Sequence, residues 1–122
     1  MTMTNVETLV RDYLETWNET DPARRRALFE RVYAADAVYV DPHVAAEGRE
    51  QIEQFVSAVQ ARYPGVRFTL HGAIDAHHDQ ARFTWRAAPE GAREPVAIGF
   101  DVVVTEQGRM KRVCGFLDEQ PG

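Results

Sequence analysis

Three side chains in this 122-residue sequence could take part in acid–base chemistry, and each stands where its neighbours predict burial: Tyr13, Asp41 and Asp101. Asp101 is the hardest to explain as packing. It sits in the middle of the run Val96 to Thr105, yet aspartate is depleted in strands and an ionised carboxylate is costly among apolar groups. Asp41 follows Val38-Tyr39-Val40 and precedes Pro42, and Asp-Pro is also a plain turn opener. Tyr13 falls on an apolar helical stripe, where a tyrosine commonly packs in the core with its hydroxyl satisfied nearby. Carboxyls and phenols are the groups that transfer protons or hold developing negative charge. His43, two positions after Asp41, reads either as an acid–base partner or as a loop residue, and His77 and His78 read as a turn facing water.

The elements that must position these groups follow from periodicity. Val6, Leu9, Val10, Tyr13, Leu14 and Trp17 recur at three and four, which marks one face of a helix, and Thr4 with Glu7 resembles a capping pair at its start. Asp21-Pro22 predicts an N-cap with proline at the first helical position, opening a second helix that buries Leu28, Phe29, Val32 and Tyr33. Val38 to Val40 predicts a short strand. Ile52, Phe55, Val56, Val59 and Tyr63 predict a third helix, stopped by Pro64-Gly65.

From Val66 the period changes to two, which predicts paired antiparallel strands joined by short turns at His77-His78-Asp79, Pro89-Glu90-Gly91 and Glu106-Gln107-Gly108. In the strand from Val96, one face carries Ile98, Phe100, Val102 and Val104, and the other carries Ala97, Gly99, Asp101, Val103 and Thr105. Neither face suits water. One is expected under the helices and the other against a second copy of the sheet, giving a homodimer. Helices followed by a long sheet make an α+β layer arrangement in a single domain over residues 1–122.

Fourteen basic against nineteen acidic side chains give a net charge of −5, which disfavours nucleic acid and anionic membranes as partners. The Arg24-Arg25-Arg26 run reads as a solvated helix face, and Arg67, Arg82, Arg86 and Arg112 as rim positions. Cys114 is the only cysteine, and no segment has the character of a secretory signal or membrane span. A reducing cytoplasm is the expected location. No histidine pair has metal-site spacing, so no metal or organic cofactor is expected.

Val10-Arg11-Asp12-Tyr13, Asn18 with Asp21, Ala35-Asp36-Ala37, Asp41-Pro42, Gly48 with Ile52 and Phe55, Phe83-Thr84, Asp101 and Gly108 together carry a resemblance. From about Val6 to Leu117 the chain resembles ketosteroid isomerase, in the nuclear transport factor 2-like superfamily that also holds the SnoaL-like polyketide cyclases. The resemblance implies three helices in the N-terminal half on a curved, mainly antiparallel sheet, a cone enclosing an apolar pocket. It implies Asp41 as catalytic base, with Tyr13 and Asp101 as the pair that hydrogen-bonds a developing oxyanion.

Such a trio suffices to move a proton between carbons next to a carbonyl, provided burial keeps Asp101 neutral near pH 7. Trp17, Tyr33, Phe55, Trp85, Val103, Val113 and Leu117 are expected to bind substrate, with Gly115 also on the cavity wall beside Asp101, and Tyr33 lies where some relatives place a supporting tyrosine. Two departures stand out: a longer second helix, and Val56 where the isomerase has a tyrosine. The expected function is a cofactor-free isomerase of small apolar carbonyl compounds. The same trio would also serve a cyclase, a dehydratase or a hydrolase, or a ligand-binding scaffold without turnover.

Overall fold

The computed structural model describes residues 3–119, and the side chains of residues 6–118. The side chain of Thr4, half of the expected capping pair, lies outside them. Helices α1 (Met3–Asn18) and α2 (Pro22–Val32) come first, then strands β1 (Tyr33–Asp41) and β2 (Val44–Glu47), then helix α3 (Gly48–Arg62). Four long strands complete the chain: β3 (Val66–His77), β4 (Gln80–Pro89), β5 (Ala97–Glu106) and β6 (Arg109–Glu119). The sheet order is β2-β1-β6-β5-β4-β3, with β1 and β6 parallel and every other pair antiparallel. This is the expected α+β fold of three helices on a curved sheet.

The sheet curves because register shifts interrupt β3 between His71 and Asp75 and the β5–β6 ladder at two places; an extra residue in one strand bends it and increases local twist. The helices fill the concave side, α1 along β3 and α3 along β1 and β2. Gly99, Asp101, Val103 and Thr105 are buried beneath them, while Val104 is exposed and Ile98, Phe100 and Val102 are half-buried on the convex side. Asn18, expected only to end α1, also ties that helix to the sheet. Its side chain accepts from Phe68 N at 2.7 Å and donates to Phe68 O at 2.9 Å.

Two expectations about α2 change. Tyr33 is not its last turn but the first residue of β1, at φ −104° and ψ 139°, and its N–H closes the helix on Phe29 O. Arg25 is not solvated: it is buried, with Nε 3.3 Å from Glu53 Oε2 and Nη1 donating to Gln60 Oε1 at 2.6 Å. Successive helical residues point about 100° apart, so one of three adjacent arginines turns toward α3 while Arg24 and Arg26 stay exposed. Gln60 in turn donates to Trp17 O and Glu19 O, joining all three helices at one point. The β2 strand was not legible, because four residues containing two alanines carry little periodicity. Among the described residues no helix is long and apolar enough to cross a membrane.

Arg25→Ala should lower the unfolding free energy by about 2 kcal/mol, since it removes a buried side chain that bridges half-buried Glu53 and Gln60. Arg24→Ala and Arg26→Ala should each cost under about 0.5 kcal/mol. Urea denaturation of the three variants tests this, and equal effects at all three positions would refute the interhelical role.

Candidate active site

The concave face of the sheet opens into a cavity of about 460 Å³, and Tyr13, Asp41 and Asp101 all line it. Its wall is aromatic. Trp17 packs against Phe68 at 5.3 Å, Tyr39 at 5.6 Å and Phe55 at 6.0 Å between ring centroids, and Phe68 meets Trp85 at 5.5 Å. Leu117 joins them, whereas His43, Arg62 and Tyr63 line the cavity where it reaches solvent.

Asp101 is 2% exposed and every oxygen of its carboxyl has a donor. Tyr13 Oη donates to Oδ2 at 2.7 Å and Trp85 Nε1 donates to Oδ1 at 3.1 Å. Burial pushes its pKa from the ordinary 3.8 to about 6, with the charge of nearby Asp41 adding to the rise and the two hydrogen bonds working against it. The expected direction holds, but those donors keep the group from remaining neutral through pH 7. Burial, then the charge on Asp101, also hold the Tyr13 phenol well above the usual tyrosine range.

Asp41 stands in different surroundings. It is half-buried at the end of β1, where Oδ1 accepts from the backbone N–H of His43 at 2.7 Å and of Val44 at 3.0 Å, and Oδ2 accepts from Tyr39 Oη at 2.7 Å. Asp41 therefore opens the β1–β2 turn and also lines the cavity. His43 meets Asp41 through its backbone rather than its ring.

Two glycines make the room. Gly115 faces Asp101 across the β5–β6 ladder, and a Cβ there would lie 3.0 Å from Asp101 Oδ1 and 3.3 Å from Asp41 Cβ. Gly99 faces Trp85 across β4–β5, where a Cβ would lie 2.5 Å from the indole ring and 2.3 Å from Phe116 O. A side chain at either position would displace the Asp101 carboxyl or the indole that donates to it.

The structure brings together Trp17, Phe55, Trp85 and Leu117 as expected on the wall, and corrects three other placements. Val103, Val113 and Tyr33 are fully buried in the core and do not line the cavity. Val103 shares a face with Asp101, but two residues along a strand move it about 7 Å, past the floor formed by Tyr13 and Asp101. There Tyr33 packs on Phe29 at 4.9 Å and edge-on to Tyr13 at 6.1 Å. Gly115 shapes the floor rather than the wall.

Sequence reasoning missed Tyr39, and with it the hydrogen-bonding role of Trp85. The signal for Tyr39 was its spacing: two residues before Asp41 on one strand puts both side chains on the same face. Among the described residues no group of three or more His, Cys, Asp or Glu side chains could hold a metal ion.

A curved sheet under three helices, with carboxyl and phenol groups gathered at the floor of an apolar cavity, is a ketosteroid isomerase-like fold. The model of the SnoaL-like domain matches residues 10–113, and the chain belongs to that family. It is 40% identical to a presumed isomerase of the SnoaL-like family from Agrobacterium tumefaciens, with a TM-score of 0.88 over 95% of this chain and 99% of that one. A presumed ketosteroid isomerase from Kribbella flavida, 22% identical, aligns at a TM-score of 0.71 over 98% of this chain and 82% of its own. A presumed SnoaL-like polyketide cyclase from Jannaschia, 18% identical, aligns at 0.74 over 93% and 85%. These last two share the fold. No curated protein matches the chain.

The raised Asp101 makes stability pH-dependent with a definite sign. Unfolded, the group ionises near 3.8, and folded near 6, so between those values the folded chain keeps a proton the unfolded chain has released. Its contribution is fully present below about pH 4 and is lost as pH rises through about 6, a loss on the order of 3 kcal/mol. Asp101→Asn abolishes the ionisation, so the stability of the native chain should fall relative to this variant between pH 4 and pH 7. Guanidinium unfolding of both at several pH values measures the difference, and a difference that stays flat would contradict a raised Asp101.

Proposed function

We propose that this chain is a cofactor-free acid–base enzyme that shifts a proton on a small, mostly apolar carbonyl compound. Asp41 is the base, and Asp101 with Tyr13 holds the substrate oxygen. The observation that carries this reading is one apolar cavity shared by two carboxyls with opposite surroundings. Asp41 is half-buried amid three donors, which suits an anion, whereas Asp101 is buried and raised to about 6.

In the reaction, the C–H bond next to the carbonyl breaks and its proton passes to Asp41. The electron pair becomes the carbon–carbon double bond of an enolate or dienolate, and the charge on oxygen is met by donors at the cavity floor. Asp41 then returns the proton to a carbon further along the conjugated system. A bound apolar ligand displaces water from the cavity and favours the neutral, donating form of Asp101.

An open cavity reaching all three groups supports turnover over a scaffold that merely buries them. The likeness to a presumed isomerase, 40% identical, supports a proton shift over ring closure.

On the convex face Phe100 and Phe116 stack at 4.9 Å, and Phe116 is 49% exposed. We propose that a second copy of the chain covers these rings in a two-fold dimer, since an apolar sheet face is not left to water. Light scattering at micromolar concentration should give twice the chain mass, and Phe116→Glu should give a monomer; a monomeric native chain would rule the dimer out.

The catalytic reading is tested with 3-cyclohexen-1-one, whose conversion to the conjugated ketone is followed by ultraviolet absorbance. Asp41→Asn keeps the size of the side chain and removes its basicity, so the rate should fall roughly 10² to 10⁴-fold. Phenol should bind the variant at least as tightly, because Asp101 and Tyr13 are untouched and a negative charge near the ligand is gone. An unchanged rate would reduce Asp41 to a turn opener.

A further inference from the structure

The Tyr39 side chain is buried, lines the cavity and bonds through its hydroxyl to Asp41, yet it neither takes nor gives the proton that is shifted. An ionised carboxylate offers about four lone-pair positions, two on each oxygen. Asp41 has three of them filled: Oδ1 by the N–H groups of His43 and Val44, and Oδ2 once, by Tyr39 at 2.7 Å. The vacant position is on Oδ2.

We propose that Tyr39 is the positioning residue of this site: by filling one lone pair of Asp41 Oδ2 and fixing the plane of the carboxylate, it leaves a single lone pair with which Asp41 takes the substrate proton. The inference rests on Asp41 being the base. Tyr39 itself neither gives nor takes a proton in the cycle. The proton from carbon goes to Oδ2 and returns from Oδ2, while the phenol keeps its own. Burial, with the charges of Asp101 and Asp41, holds that phenol well above the usual tyrosine range.

The packing around Tyr39 suits this role. Its ring lies between Trp17, at 5.6 Å, and Phe55, at 5.9 Å. Its backbone is paired on both sides, with Ala46 of β2 and Val113 of β6. The backbone fixes where the side chain starts, and the ring cannot swing toward a ligand without displacing Trp17 or Phe55, so the packing holds the direction it imposes on Asp41. The other titratable or charged groups on the cavity are Asp101 from β5, Tyr13 from α1, His43 from the β1–β2 turn, and Arg62 and Tyr63 at the end of α3. All five are unchanged in a comparison of the native chain with Tyr39→Phe, so a difference in pH response between the two reports the lost hydroxyl.

Tyr39→Phe keeps the ring and removes only the donor. With 3-cyclohexen-1-one, kcat should fall about tenfold while KM changes less than about threefold. On the acid side, the pH giving half the maximal rate should rise by about one unit, because losing a donor to a carboxylate favours its protonated form. The double variant Asp41→Asn with Tyr39→Phe should be no slower than Asp41→Asn alone, as expected if Tyr39 acts only through Asp41.

A second measurement needs no turnover: carbon-13 NMR of the Asp41 carboxyl in both chains, whose titration should move upward in Tyr39→Phe. Coincident titrations, or a native kcat and pH profile in Tyr39→Phe, would overturn the positioning role. Full activity of Asp41→Asn would instead overturn the assignment of the base, and the NMR comparison would still decide whether Tyr39 sets the state of Asp41.

Discussion

The structure is organised around a carboxyl group that water hardly reaches. Asp101 is embedded in the sheet at 2% exposure, and such a group is tolerated only where hydrogen bonds meet it. Its two donors come from distant parts of the chain, Tyr13 from α1 and Trp85 from β4. The Tyr13 bond ties the first helix to the middle of the sheet. The Trp85 bond requires an indole lying close over β5, which is possible because Gly99 has no side chain, and the carboxyl itself occupies space that Gly115 leaves. Removing any of these supports would leave a buried polar group without its partner, at a cost of about 1 to 3 kcal/mol.

The same arrangement divides the interior in two. Beyond Tyr13 and Asp101 the space between helices and sheet is packed solid by Phe29, Val32, Tyr33, Val103 and Val113. On the near side the aromatic rings of Trp17, Tyr39, Phe55, Phe68 and Trp85 stand around open volume instead of filling it. Rings suit this because they are held by two rotatable bonds and by one another, so a wall of them keeps its shape when the space it encloses is empty. The polar groups of the cavity are confined to its floor and mouth.

Two aspartates thus acquire different characters without any difference in chemistry. Asp41 sits at a strand end where backbone N–H groups of the following turn are free to bind it, and Asp101 sits mid-strand where the backbone is already paired. The first is surrounded by donors, and the second relies on two side chains and is held up by burial. In a chain of the SnoaL-like family, surroundings alone thus push two like groups in one small cavity toward different protonation behaviour.

The sequence by itself determined the three helices and the run of antiparallel strands, because those properties follow from local periodicity and hydrophobic spacing, whereas periodicity left both faces of β5 open. It also singled out Asp101, since a carboxyl between Gly99, Phe100, Val102 and Val103 breaks the pattern of its own strand. Only the tertiary structure decided what each group touches. That Tyr39 bonds Asp41, that Arg25 turns inward, and that Val103 and Tyr33 lie behind the cavity floor depend on how helices cross the sheet and where its register shifts. Periodicity gives the face on which a residue lies but not its depth along the cone. The distance from Tyr13 to Asp101 is a property of two elements packed together, and no local pattern encodes it.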